Sequence, residues 1–203
     1  LFYQSKQLGD LTTKAQLSEK LNSGMLMLRR NEKDFLARID LKYLDKFNKN
    51  FNKLQQLIQS YRALDDSHEE LSQFAVVTRD YQKKFQQLTQ IQQQIGLNPK
   101  DGLYGELRGA VHQFEDSIKS HNEYRMLANT LQLRRREKDF MLRDDIKYVD
   151  KFREDILVLR DSLQQSSLAA GDKQSISSNI DNYQQKFVNL TELKKQMGLA
   201  ADL

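Results

Sequence analysis

The sequence predicts an all-α protein made of two copies of one helical unit, and three observations predict it. The 203 residues include 1 Pro and 8 Gly, which leaves few places for a helix to stop. Only 38% of residues are apolar, a proportion suited to thin bundles in which each helix buries a single stripe. Two stretches also recur along the chain. Residues 26–47 (LMLRRNEKDFLARIDLKYLDKF) and 131–152 (LQLRRREKDFMLRDDIKYVDKF) share 15 of 22 positions, against a chance level of about one in 17. Residues 81–97 (YQKKFQQLTQIQQQIGL) and 183–199 (YQQKFVNLTELKKQMGL) share 9 of 17. The offsets are 105 and 102, so the second copy is three residues shorter between its motifs.

The elements follow in order. Leu8, Leu11, Ala15, Leu21, Met25, Leu28 and Phe35 recur at helical spacing and predict a first helix over about 1–37. Arg38-Ile39 forms a tight reversal, and Asp40 caps a second helix over about 41–60. Asp65-Asp66-Ser67 is a turn, and a third helix runs over about 68–96 to a C-terminal cap at Gly96. Asn98-Pro99-Lys100-Asp101-Gly102 is the strongest break and joins the copies. A fourth helix is expected over 103–142, with a reversal at Arg143-Asp144. Asp145 caps a fifth over 146–165, Ala170-Gly171-Asp172 is a turn, and a sixth helix over 173–198 ends at Gly198.

Six helices are thus expected, two long and four short. At 1.5 Å per residue the chain rises about 55 Å, falls 30, rises 42, falls 60, rises 30 and falls 42, which returns both ends to one pole. The arithmetic predicts one domain, residues 1–203, of two stacked four-helix-bundle modules. One covers about 22–120 and the first repeat. The other covers about 1–22 plus 120–203 and the second repeat. Each copy supplies three helices and borrows the fourth.

The net charge is +4, with 32 basic and 28 acidic residues, a mixed solvated surface. Nucleic-acid binding wants a concentrated basic face, and the run Arg134-Arg135-Arg136 is followed at once by Glu137 and Asp139. No stretch approaches the roughly 18–20 apolar residues of a membrane span, and no signal peptide is expected within these residues. The ends, Leu1-Phe2-Tyr3 and Ala200-Ala201-Asp202-Leu203, suit an excerpt whose anchors lie outside it. His68, His112 and His121 form no i,i+4 pair and there is no Cys, so neither a metal nor another cofactor is expected. There is no phosphate loop and no nucleophile elbow, and Asp144-Asp145 sits at a turn rather than in a cleft; no catalysis is expected.

The paired RRxEKDFxxRxDxKYxDKF segments, together with Gly96-Leu97, Gly102-Leu103-Tyr104-Gly105-Glu106-Leu107-Arg108 and Val111-His112, resemble the helical bimodular sensor domain of bacterial methyl-accepting chemotaxis receptors. The resemblance covers nearly the whole chain. It implies a periplasmic domain anchored in the bacterial inner membrane by flanking transmembrane helices that are not in this chain. It also implies a homodimer in the full receptor, and small ligands held among the helices of a module. Known members recognise C4 dicarboxylates such as malate and succinate near the membrane, and acetate in the distal module. The organic-acid receptors carry paired arginines early in the first helix, whereas residues 1–24 here contain no Arg and only Lys6, Lys14 and Lys20 as cations.

The residues themselves offer candidate ligand contacts. Met25, Leu28 and Phe35 set a buried face, with Glu32 near its centre and Arg29 at its edge; Glu137 and Arg134 hold the same places in the second copy. A charge in a bundle core costs several kcal/mol unless paired. Glu32 and Glu137 are therefore read as members of structural ion pairs, and Arg29 or Arg134 either completes such a pair or meets a ligand carboxylate in bidentate fashion. The heights place Arg79, Tyr81 and His121 near the level of Arg29. They place Lys14 and Thr13 near the level of Arg134, with Tyr183 and Arg153 across from them. Tyr81 and Tyr183 fall on apolar stripes, either as core aromatics or as hydroxyls offered to a pocket. The leading expectation is a signal-input module that turns ligand binding into a small helix shift. The alternatives are the sensor of a histidine kinase and a passive helical scaffold.

Overall fold

The computed structural model describes residues 2–64, 69–121 and 123–199, with side chains for 12–62, 69–121 and 123–198. The all-α class is observed. The helices are α1 (Phe2–Arg38), α2 (Lys42–Leu64), α3 (Glu69–Ile95), α4 (Gly102–Lys119), α5 (Tyr124–Arg143), α6 (Lys147–Gln165) and α7 (Ala170–Lys194), the last closed by a π-turn over Lys195–Leu199. The expected turn at Asp65-Asp66-Ser67 lies outside the described residues. The expected turn at Ala170-Gly171-Asp172 is instead the first turn of α7, because the chain reverses earlier, over Ser166–Ala169.

The chain forms two compact units, Leu1–Gln90 and Ile91–Leu203. The repeat is visible inside each. In the first unit, Phe35, Phe47 and Phe85 are buried. Phe85 meets Phe35 edge-on at 5.7 Å and Phe47 at 4.4 Å, and Phe47 meets Tyr81 at 5.5 Å. In the second unit, Phe140, Phe152, Phe187 and Tyr183 repeat the cluster at 5.6, 4.0 and 5.4 Å. Edge-to-face contacts of this kind add to the burial of large apolar rings. The shared KDF, DKF and YQxKF segments are thus core formers, and that is why they recur.

The helical reversals repeat as well. Ile39 and Asp144, one offset apart, both adopt φ 50°. The following aspartates stand one residue before the cap rather than on it: Ile146 is the N-cap of α6 and makes no side-chain cap bond, while Asp145 Oδ1 accepts the amide of Lys147 at 3.0 Å, as Asp40 Oδ1 accepts that of Lys42 at 2.9 Å. Each corner closes on a buried tyrosine ringed by cations. Arg38, Lys42 and Lys46 lie 5.4, 5.1 and 5.1 Å from the Tyr43 ring. Arg143, Lys147 and Lys151 lie 5.7, 5.1 and 5.9 Å from the Tyr148 ring.

The second long helix is where the structure departs from expectation. Residues 103–142 form two helices, so the expected six become seven among the described residues. The break uses neither Gly nor Pro. Ser120 Oγ donates to Ser117 O at 2.8 Å, and His121 Nδ1 reaches the same carbonyl at 2.8 Å. Side chains that bond the backbone locally compete with the helical ladder. The chain then reverses, and α4 folds back beside α5 and packs along α7, which it meets through Asn179–Ser117 (2.9 Å) and Lys186–Glu106 (2.5 Å). The modules expected from the sequence put residues 103–120 with the first repeat; in the structure α4 belongs to the second unit, because the reversal at 120–123 turns its apolar face (Leu107, Phe114, Ile118) onto that core. The second unit is therefore a four-helix bundle of α4–α7. In the first repeat, residues 2–14 stand at the position of residues 107–119 and continue α1 without a break.

Candidate functional site

A cavity of about 530 Å3 opens in the second unit between α4 and α5. Helical spacing builds both walls. Tyr104, Arg108, Val111 and His112 recur at three- and four-residue steps on α4, and Arg134, Glu137, Lys138 and Met141 do so on α5; positions three and four apart share a helix face. Pro99, in the segment before α4, closes one edge. Beneath these residues Leu107, Phe114, Leu133 and Phe140 are buried in the core, which holds the two faces in place.

The polar residues divide into a locked set and an open set. Arg134 Nη1 donates to Glu115 Oε1 at 2.7 Å, with Glu115 nearly fully buried, and His112 Nδ1 lies 3.9 Å from Glu115 Oε2. Tyr183, fully buried on α7, donates to Glu137 Oε2 at 2.6 Å. Burial pushes the Glu137 carboxyl above the usual carboxylate range, while the Tyr183 hydroxyl and the Arg134 charge pull it the other way. Tyr183 is held well above its ordinary value, first by burial and then by the Glu137 charge. Tyr104 is raised by burial and by the charge of Asp144. Arg108 and Lys138 have no salt-bridge partner among the described residues. Three cations and two carboxylates therefore meet here; Arg108 and Lys138 are exposed side chains at the mouth, and the Lys138 charge acts on Glu137 without forming a salt bridge. Such a site can hold an anion; it presents no nucleophile paired with a base.

The structure brings together Arg134, Glu137 and Tyr183, as the sequence suggests, but with different bonds. The expected partner of Arg134 was Glu137, whereas the guanidinium pairs with Glu115 and Glu137 takes the tyrosine hydroxyl. The first unit repeats half of this arrangement. Tyr81 donates to Glu32, the Tyr81 hydroxyl is raised by burial and by that carboxylate, and the exposed Arg29 contributes a smaller opposing charge effect. Among the described residues of the first unit no helix takes the place of α4, since residues 2–14 continue α1. Arg79 is exposed. His121, expected beside Arg29, Arg79 and Tyr81, lies in the second unit at the α4–α5 reversal, with Asp172 Oδ2 at 3.4 Å from its Nε2. Arg153 is on the surface and pairs with Asp150 at 3.1 Å. Thr13 and Lys14 lie on α1 of the first unit, Thr13 exposed and Lys14 half-buried, each with partners of its own. A smaller cavity in that unit, about 270 Å3, has Ser18, Leu21, Tyr61, Glu70 and Phe74 on its walls and no basic side chain.

Sequence reasoning missed Tyr104, Arg108, His112, Glu115 and Lys138. The i, i+4, i+8 spacing of Tyr104, Arg108 and His112 was there to read, but a pocket needs a second wall, and only the reversal at 120–123 supplies it. Among the described residues no group of three or more His, Cys, Asp or Glu side chains could hold a metal ion, and no helix is long and apolar enough to cross a membrane. Comparison with protein-family models, with curated proteins and with solved structures finds no match.

Proposed function

We propose that this chain is the ligand-binding sensor domain of a transmembrane chemoreceptor, and that it holds a small organic anion between α4 and α5. One observation carries the reading: a ligand-sized cavity with a largely apolar floor, at whose mouth Arg108 and Lys138 stand without a salt-bridge partner among the described residues, beside the anchored Arg134. Apolar pockets with a few convergent polar groups are the usual form of small-molecule sites. The paired RRxEKDF segments and their likeness to helical bimodular sensors support the signalling part of the proposal. On this reading the domain stands in the periplasm, between membrane anchors, in a dimeric receptor. Its two repeats act as two modules, and ligand binding biases the position of α4 against α5. A helix shift of about 1–2 Å is enough for signals of this kind.

Calorimetry on the chain with a panel of carboxylates tests the reading. A hit is expected to weaken at least tenfold in Arg108→Ala and in Lys138→Ala, neither of which removes an ion pair. Arg134→Ala is a poorer probe, because it leaves Glu115 buried and uncompensated, at a cost of roughly 3–5 kcal/mol to the fold. A folded chain that binds none of the carboxylates, or binds them equally well in both alanine variants, would sink the proposal.

A further inference from the structure

We infer that the ligand of the α4–α5 cavity is a carboxylate with a single negative charge and a large apolar body, of the arene-carboxylic-acid type, rather than acetate, a dicarboxylate or a tricarboxylate. The inference rests on the anion-binding reading above and narrows it by charge and by size.

Charge sets the first limit. Arg108, Arg134 and Lys138 face Glu115 and Glu137, which leaves one positive charge uncompensated. A monoanion brings the site to neutrality. A second or third carboxylate would exceed the one-charge surplus of the site and would be repelled by the fixed Glu115 and Glu137. Both protein carboxylates are fixed by their own bonds, Glu115 by Arg134 at 2.7 Å and Glu137 by Tyr183 at 2.6 Å, so both negative charges stay at the site.

Size and lining set the second. A volume of about 530 Å3 equals the liquid volume of on the order of 15–20 water molecules. A two-carbon or four-carbon acid would leave most of it wet. The remaining walls are the side chains of Met141, Val111, Pro99 and Tyr104. Rings stack on aromatic and proline faces, and a thioether makes favourable contact with a ring edge. A ring-bearing acid can place its carboxylate on Arg108 and Lys138 while its body displaces water from these walls.

The test is a competition series read by calorimetry on the intact chain, using acetate, succinate, citrate, benzoate and 2-naphthoate, with naphthalene-2-carboxamide as the neutral analogue. The inference expects 2-naphthoate to bind at least tenfold tighter than acetate, succinate or citrate, and at least tenfold tighter than the carboxamide. Met141→Gln keeps the shape of that wall and makes it polar; it should weaken 2-naphthoate severalfold and leave acetate unchanged. Tighter binding of succinate or citrate overturns this inference and leaves the anion site standing. Equal binding of the carboxamide removes the charge argument. A chain that binds none of the acids fails the underlying reading instead.

Discussion

At the scale of single residues, the informative feature is a glutamate that appears twice in a core. Glu32 and Glu137 sit at repeat-equivalent positions, and each takes a hydrogen bond from a tyrosine one repeat motif away, Tyr81 or Tyr183. The helical wheel placed all four residues inward. It could not show which donor each carboxylate would find, because that depends on the rotation of α3 and α7 about their axes, set by the aromatic clusters beneath. The pairing has a pH signature. The Glu137 carboxyl is raised in the fold, above its ordinary value of 4.5. A raised acid contributes most to stability below that value, where it is neutral in both states, and the contribution is lost as pH rises through its folded value. Glu137→Gln keeps an acceptor for Tyr183 and removes the charge. It is expected to raise stability at neutral pH and to change little near pH 4, as measured by chemical denaturation at both pH values. Tyr183→Phe strands the carboxylate, and the same measurement should show a loss of about 1–3 kcal/mol at neutral pH. Equal effects of Glu137→Gln at the two pH values would show that the carboxylate carries no such linkage.

At the scale of elements, helix ends were readable wherever a side chain or a glycine marks them directly. Gly96 follows the last residue of α3 with positive φ. Asp40 and Asp145 bond the first amides of α2 and α6 from one residue before the cap, whereas Gly198 lies within the π-turn beyond the end of α7. The reversal at 120–123 was not readable, since Ser120, His121 and Glu123 suit a helix surface as well as its end. What decides it is tertiary: Leu107, Phe114 and Ile118 bury against the second repeat only if α4 folds back. One substitution separates a cap from a crowded corner. Gly96 and Gly198 are repeat-equivalent and both have positive φ, 125° and 85°. A Cβ on Gly96 would lie 2.4 Å from Asp101 O, whereas nothing lies within 4 Å of one on Gly198. Gly198→Ala should cost about 1 kcal/mol, the price of an alanine in the left-handed region. Gly96→Ala should cost at least twice that, because the backbone of the turn must move as well. Thermal unfolding of the two variants measures the difference, and equal shifts would mean the Asp101 corner yields freely.

At the scale of the whole molecule, the repeat announced two units, and two are present, but their boundary falls at Gln90/Ile91 rather than where the height arithmetic drew it. The arithmetic assumed unbroken helices, and a single reversal reassigns eighteen residues of α4. The two hydrophobic clusters have no residue in common: one gathers Leu28, Phe47 and Phe85, the other Leu107, Phe152 and Phe187. Each is built on the same phenylalanine from the DKF segment, Phe47 or Phe152, both essentially inaccessible to solvent. Truncating either to alanine should cost about 3–5 kcal/mol locally. Separate cores can open separately, because stability is distributed in cooperative units rather than evenly over a chain. Native-state hydrogen exchange on Phe47→Ala should therefore show faster exchange in α2 and the first part of α3, with the amides of α5–α7 unchanged. Phe152→Ala should do the reverse. If either substitution loosens both sets of amides alike, the two repeats unfold as one cooperative body, and a ligand in the α4–α5 cavity would stabilise the first repeat as much as the second.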